Sequence, residues 1–449
     1  MSGRPRAAPS GRRLPTEPSA PNNKSIINTM SKKNVIVAAL LLLCVSWAKG
    51  QQNTTADTIV YKGQNGSKAV VLNSLQDGTI SFLSEDQRYL SGSISTAAGF
   101  VYDPTTGGLQ IFDDHQMHAY FSPDHYVTAL GGENQSPYLH LDGQDIDLEP
   151  TTPPGENAEY NSLFYWAAQP NGGRIVTMGY EYDRSYYNVG AVHDGKTGKL
   201  LTLLHSHWPL SDNAEDNAGY GSRGDCISGD GLIVGGHGTW PGCFSNWSLM
   251  FWDLADLEST GEVHTYGIDD PSYSQGSFYG ANHDGSILVG DNENTGKGVI
   301  LYFDRANKSF TYDSIDPLPG YDGITFTSIS DRGLITGYVQ SGTDVAGRIG
   351  TMYTQAAGVM TLKSFLLEFY DIDAPELGCP IGISPDGSII HGFYFDHGYT
   401  KPWFIQLGDK QILPRVRNIR AKAAQSGFSA RLDWQAPLAS ATTLTGYEI

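Results

Sequence analysis

Carboxylates are the most abundant reactive groups in this chain: 48 Asp and Glu stand against 29 Lys and Arg, a formal net charge of −19. Asp142, Asp145 and Asp147 fall in one short run, and Asp291-Asn292-Glu293-Asn294 in another. Such hard oxygen donors suit calcium. The first run has no Glu at the twelfth position that an EF-hand loop requires, so Asp142, Asp145 and Asp147 form an incomplete calcium set. No other cofactor is indicated. His205 and His207 alternate, as two metal ligands on one strand would, but no third ligand can be placed beside them. Gly-x-Ser-x-Gly, His-Glu-x-x-His and P-loop patterns are absent from the sequence. Carboxylate pairs arise by chance in so acidic a chain, and no catalytic residue is assigned. Cys226 and Cys243 stand 17 residues apart and could pair in an oxidising compartment, with Cys379 left over.

The elements that must position these groups are legible from repetition. The pattern is Ser/Asn-x-Asp-Gly, three or four apolar residues, then a Gly read as the strand end. It runs from Ser84 to Gly92, Ser122 to Gly131, Gln169 to Gly179, Ser228 to Gly235, Asn282 to Gly290, Ser330 to Gly337 and Ser384 to Gly392. Its Asp or Asn stands at 86, 124, 171, 230, 284, 331 and 386, a mean spacing of 50 residues. Asp-Gly between apolar runs makes a tight hairpin, because Gly takes positive φ without steric cost. Asp230-Gly231, Asp284-Gly285, Asp331 with Gly333, and Asp386-Gly387 are the clearest such hairpins. Each is followed by an apolar strand, an aromatic strand such as Ser248-Leu249-Met250-Phe251-Trp252, and a last strand after a small turn.

About 50 residues per four-stranded meander is propeller spacing. The expected fold is all-β: a seven-bladed propeller (six or eight if a weak repeat is miscounted) of four-stranded antiparallel blades over residues 51–412. The segments Thr58-Ile59-Val60-Tyr61 and Ala69-Val70-Val71-Leu72 are expected to complete the last blade from the other terminus. The composition agrees. Gly is 53 of 449 residues, about 12% against a usual ~7%, while charged residues are only 17%. Disordered chains, coiled coils and collagen are excluded.

Ser-x-Asp-Gly-x-Ile-Ile-x-Gly followed by an aromatic strand resembles the HAF-type, WD40-like extracellular propeller repeats of secreted bacterial proteins. Those repeats carry no catalytic residues to transfer. After Leu413 the pattern changes. Residues 413–421, 430–437 and 444–449, with Pro414, Trp434, Pro437 and Tyr447, resemble the first strands of a fibronectin type III domain. Such a β-sandwich needs roughly 90–100 residues, so the 37 residues 413–449 are expected to be an incomplete module.

Residues 1–50 read as an address. Ser31-Lys32-Lys33, the apolar run Val35 to Val45 and Ser46-Trp47-Ala48-Lys49-Gly50 form a Sec signal, with Met30 the expected start and cleavage expected after Gly50. Eleven apolar residues span about 16 Å as a helix, too short for a bilayer core of ~30 Å. No transmembrane helix is expected after cleavage. Removing the eight bases and one acid of this leader leaves 21 Lys and Arg against 47 Asp and Glu, a net charge of −26. Nucleic acid and anionic membrane are poor partners for that surface. Leader, propeller and type III module together look like Bacteroidetes-type surface proteins, implying secretion or display at the cell surface.

In such a meander the Asp-Gly hairpins share one face of the disc, and the inter-blade loops share the other. The segments 142–160, 205–225, 266–276, 313–322 and 368–376 are expected to be those inter-blade loops. An acidic, aromatic binding face follows, with Trp208, Tyr220, Trp240, Tyr273, Tyr321, Tyr370, Tyr394, Asp216, Asp270 and Asp371 as its residues. The function that this favours is non-catalytic recognition of an extracellular protein or glycan. A glycoside-active enzyme is the alternative, and two or three carboxylates with a Tyr or His deep in the channel would favour it. A structural spacer comes third.

Overall fold

The computed structural model describes residues 51–94, 98–112, 116–122, 125–130, 137–151, 164–181, 187–206, 221–240, 247–408, 417–423 and 430–435. The chain divides into two compact units, 1–49 and 50–449. The first, with the expected leader, lies outside the described residues.

Seven antiparallel sheets follow one another as blades. Their innermost strands are Gly78–Leu83, Gln116–Ser122, Phe164–Asn171, Ser222–Ile227, Gly276–Ala281, Gly323–Ile329 and Cys379–Ile383. Each inner strand packs beside the next, and the seventh returns to the first, so the blades close a ring. Closure comes from the chain start, as expected. Lys68–Leu72 pairs with Tyr399–Gln406 as the fourth strand of blade seven, and Thr58–Lys62 adds a fifth. Gln51–Thr55 then adds a fifth strand to blade one. Among the described residues the core is not one cluster but several. Each lies between neighbouring blades, as where Phe251 of blade four meets Phe278 and Phe303 of blade five.

The repeated hairpins have a common chemistry. Ser228 Oγ donates to Asp230 Oδ1 at 2.5 Å and accepts from Leu232 and Ile233 N–H, while Asp230 Oδ1 also accepts from Leu232 N–H. Ser84/Asp86, Asn282/Asp284 and Ser384/Asp386 repeat the donor–acceptor pair. Gly231, Gly285, Gly333 and Gly387 all sit at φ between 66° and 75°, which an L side chain adopts at a cost.

The second glycine of the repeat does something other than end a strand. Each inner strand carries a β-bulge, at Ile80/Phe82, Gly224/Cys226, Phe278/Gly280, Phe326/Ser328 and Pro380/Gly382 in five of the blades. Beside each bulge the neighbouring strand carries Gly92, Gly236, Gly290, Gly337 or Gly392. A Cβ there would clash with the carbonyl oxygen of Thr79, Arg223, Ser277, Thr325 or Cys379. In blade four the required residue is Gly236, one beyond the Gly235 expected from the pattern.

All five expected inter-blade loops overlap regular structure at some point, and two of them show what this changes. Asp142-Gly143 is the turn between Tyr138–Leu141 and Gln144–Asp147, the outer hairpin of blade two. It therefore belongs to the hairpin face, not the loop face. Segment 368–376 begins inside the helix Leu362–Tyr370, capped by Thr361 and buried along Leu362, Phe365, Leu366 and Tyr370. The C-terminal hairpin pairs Arg417–Ala423 with Ala430–Gln435; residues 444–449, the third expected strand, lie outside the described residues.

Candidate functional site

Among the described residues, the face expected from sequence is not one exposed surface. Trp208, Tyr220 and Asp216 lie outside the described residues. Tyr273 and Tyr370 are buried, 7% and 3% exposed, in the clusters between blades four and five and between six and seven. The Tyr370 phenol is pushed up to about 12 by burial, with Arg332 opposing. Trp240 lies flat on Gly267 and leaves no room for a Cβ there. Tyr321 and Tyr394 are half-buried against neighbouring clusters. Asp270 caps the turn Pro271–Tyr273, accepting from Ser272 N–H and Oγ at 2.9 and 2.8 Å, and these bonds hold its carboxyl below the usual range. Asp371 ends the helix in the left-handed region, at φ 57°.

The calcium set falls in the turn and one strand of a single hairpin. Asp142 is in the turn, Asp145 lies 2.6 Å from His140 Nδ1, and Asp147 pairs with Tyr138 in the strand register. Among the described residues no group of three His, Cys, Asp or Glu is placed to hold a metal ion. Cys226 is a free, buried thiol that donates to Phe278 O at 3.5 Å, and burial pushes its pKa far up. Cys243 lies outside the described residues.

The structure instead gathers polar groups on the loop side of blades four to six. Asp225, expected in a loop, is the bulge residue of the blade-four inner strand. Its Oδ1 lies 2.5 Å from Arg223 Nε, and its Oδ2 accepts from Ser277 Oγ at 2.6 Å and His237 Nδ1 at 3.1 Å. Burial raises its carboxyl, but His237, Arg223 and Ser277 outweigh burial and hold it ionised below the usual range. The imidazole of His237 in turn stacks under the indole of Trp247, centroids 4.4 Å apart and planes 9° from parallel. Trp247 is 45% exposed.

One blade on, Asp291 stands opposite Ser277 in the strand register and accepts from Thr325 Oγ1 of blade six at 2.7 Å. Its Oδ1 has no hydrogen-bond partner among the described residues. Burial, opposed by Thr325 and reinforced by Glu293, pushes its carboxyl up to about 7. Ser277 thus touches both carboxylates, by hydroxyl and by N–H. Tyr279 sits beside them, and burial followed by Asp291 and Asp225 keeps its phenol protonated. On blade six Arg348 lies over the Tyr338 ring at 4.2 Å. Sequence reasoning singled out Asp291, within the run 291–294, but not this assembly. A signal existed: Arg223 and Asp225 are the only Lys, Arg, Asp or Glu in any of the seven inner strands.

Solved structures similar to this chain include an oligogalacturonate lyase from Vibrio parahaemolyticus. It is 12% identical, with a TM-score of 0.48, and covers 81% of this chain and 99% of that one. An oligogalacturonate lyase in complex with manganese is 11% identical, with a TM-score of 0.47 and the same coverages. A luciferin-regenerating enzyme is 9% identical at a TM-score of 0.38, covering 78% of this chain and 95% of that one. At such values these likenesses assign no activity. No family model and no curated protein sequence matches the chain.

Proposed function

We propose that this propeller is a secreted or surface-displayed binding module that takes a glycan on its loop face, with Trp247 as the stacking surface. The observation that carries this reading is an exposed indole held in one orientation. One ring face lies on His237, His237 is fixed by Asp225 and Ser277, and Asp225 is fixed by Arg223. A ring already immobilised loses little entropy when a sugar stacks on it. Exposed Gln275 and Glu293 lie beside it and offer polar edges: Gln275 forms a bridge with Trp247, and Glu293 N–H donates to Gln275 O. Other exposed large apolar residues among those described, such as Leu367 and Tyr399, lie on other blades, so a pyranose fits this site better than a broad protein interface does. The leader-like residues 1–50 support export. The test is binding to an array of neutral and basic glycans. Trp247→Ala should weaken the best binder ~30-fold, about 2 kcal/mol, as an aromatic hot spot does. Unchanged binding by that variant would sink the reading.

One observation favours catalysis as a second reading. Asp225 and Asp291 share Ser277, and their surroundings push their proton affinities apart, as acid–base pairs require. Access weighs against it: Asp291 is 7% exposed and does not line the central cavity. Reducing-sugar release from a glycan bound by the wild type, abolished in Asp291→Asn with binding retained, would establish it.

A further inference from the structure

The repeats agree at their hairpins and bulge-facing glycines, but not at the residue each bulge expels. That residue is Ser81, Asp225, Tyr279, Thr327 or Ile381 in the five blades named above. All five line one cavity of about 710 Å³ at the centre of the ring, within the size range of small-molecule sites. Equivalent positions in a repeat meet equivalent packing demands, so a wall that only filled space would carry similar residues throughout.

Asp225 gives this wall its chemistry. A carboxylate offers about four lone-pair positions. Arg223, Ser277 and His237 reach it from within the blades, and the residue also borders the cavity. Tyr279 stands at the same level on the next blade. Glu85 and Asp331 add carboxylates towards the hairpin rim, and no Lys or Arg lines the cavity among the described residues. Such a lining disfavours anions, including an oligogalacturonate. It favours a cationic donor that can bond a carboxylate and approach an aromatic ring.

We propose that the central cavity is a second binding site, separate from Trp247, for a small molecule carrying an ammonium group on a hydroxylated frame. D-glucosamine and D-glucose are the probes, because they differ by one ammonium in place of a hydroxyl. In calorimetry on the full chain below neutral pH, glucosamine should bind saturably and at least about tenfold more tightly than glucose, as a charge-assisted bond implies. Added salt should weaken it. Asp225→Asn should abolish binding. Because that change could also loosen blade four, Ile381→Trp provides a second test: it fills the cavity from an apolar position and should abolish binding while the melting transition stays cooperative. Trp247→Ala should leave glucosamine binding intact while glycan binding falls, which separates failure of this proposal from failure of the loop-face reading. Equal affinity for glucose, binding that survives Ile381→Trp, or no glucosamine binding by a normally folded wild type would each overturn it.

Discussion

On the hairpin face, Ser84, Ser228, Asn282 and Ser384 each donate to an Asp two residues on. Neighbouring hairpins are stitched together: Asp230 N–H donates to His283 O, His283 N–H to Asp331 Oδ1, and Asp331 N–H to Pro385 O. On the loop face, the register position following the bulge-facing glycine is occupied by His237, Asp291, Tyr338 and Phe393 in blades four to seven. The same four-stranded unit thus keeps one end constant and varies the other. Repetition marks what every blade needs in order to close its turn and seat its bulge. Departure from repetition marks positions with one task in one place, including a buried acid near neutrality that does not help the fold.

Neighbouring residues can break this contrast. Gly290→Ala should cost at least about 4 kcal/mol or abolish cooperative melting, because its Cβ meets the Ser277 carbonyl in a strand that cannot retreat. The next residue should behave oppositely. Asp291 binds its proton up to about pH 7 when folded, against 3.8 for an unperturbed aspartate. Between those values the folded state holds more protons, so stability falls as pH rises. Asp291→Asn should remove that slope and raise stability at pH 7 by up to about 4 kcal/mol, the gain vanishing near pH 4; a loss at pH 7 in denaturant titration would contradict the contrast.

His391 sharpens it from the blade-seven side, where position 391 is fully buried. Burial holds its ring neutral down to about pH 4, with the Ile80 backbone opposing, against 6.5 for an unperturbed histidine. Here the unfolded state binds the proton first, so stability should drop by about 3 kcal/mol as pH falls from 6.5 to 4. His391→Asn should flatten this part of the melting profile. Trp247→Ala should change Tm by less than about 2 °C, consistent with a surface substitution, while reducing glycan affinity as given above. The smallest effect is expected at one repeated hairpin: Asp230→Ala should cost about 1 kcal/mol, the worth of its local hydrogen bonds, and should leave glycan affinity unchanged.

Much of the architecture was legible in the residues. Asp-Gly turns and apolar runs recur because each blade must solve the same local problem, and the pairing of 58–72 with the last blade followed from ring closure. The site was less legible. Segment 205–225 read as loop to its end because strand boundaries around a bulge leave no periodic mark. Tyr273 and Tyr370 read as exposed because they stand in polar segments, yet both turn inward between blades. Asp142, Asp145 and Asp147 were close in sequence, but the hairpin puts Asp142 in its turn and pairs Asp145 and Asp147 with His140 and Tyr138 of the opposing strand.

The sequence alone determined the blade pattern, the hairpins and the closing strands, since these depend on turn chemistry and hydrophobic alternation within a few tens of residues. The tertiary structure decided which aromatic stays exposed, which glycine meets a carbonyl, and that Arg223, Asp225, His237 and Ser277 converge. The physical reason is the bulge. One extra residue reverses which side chains face the channel and which face the next blade, and only the packing of neighbouring blades fixes where that residue falls.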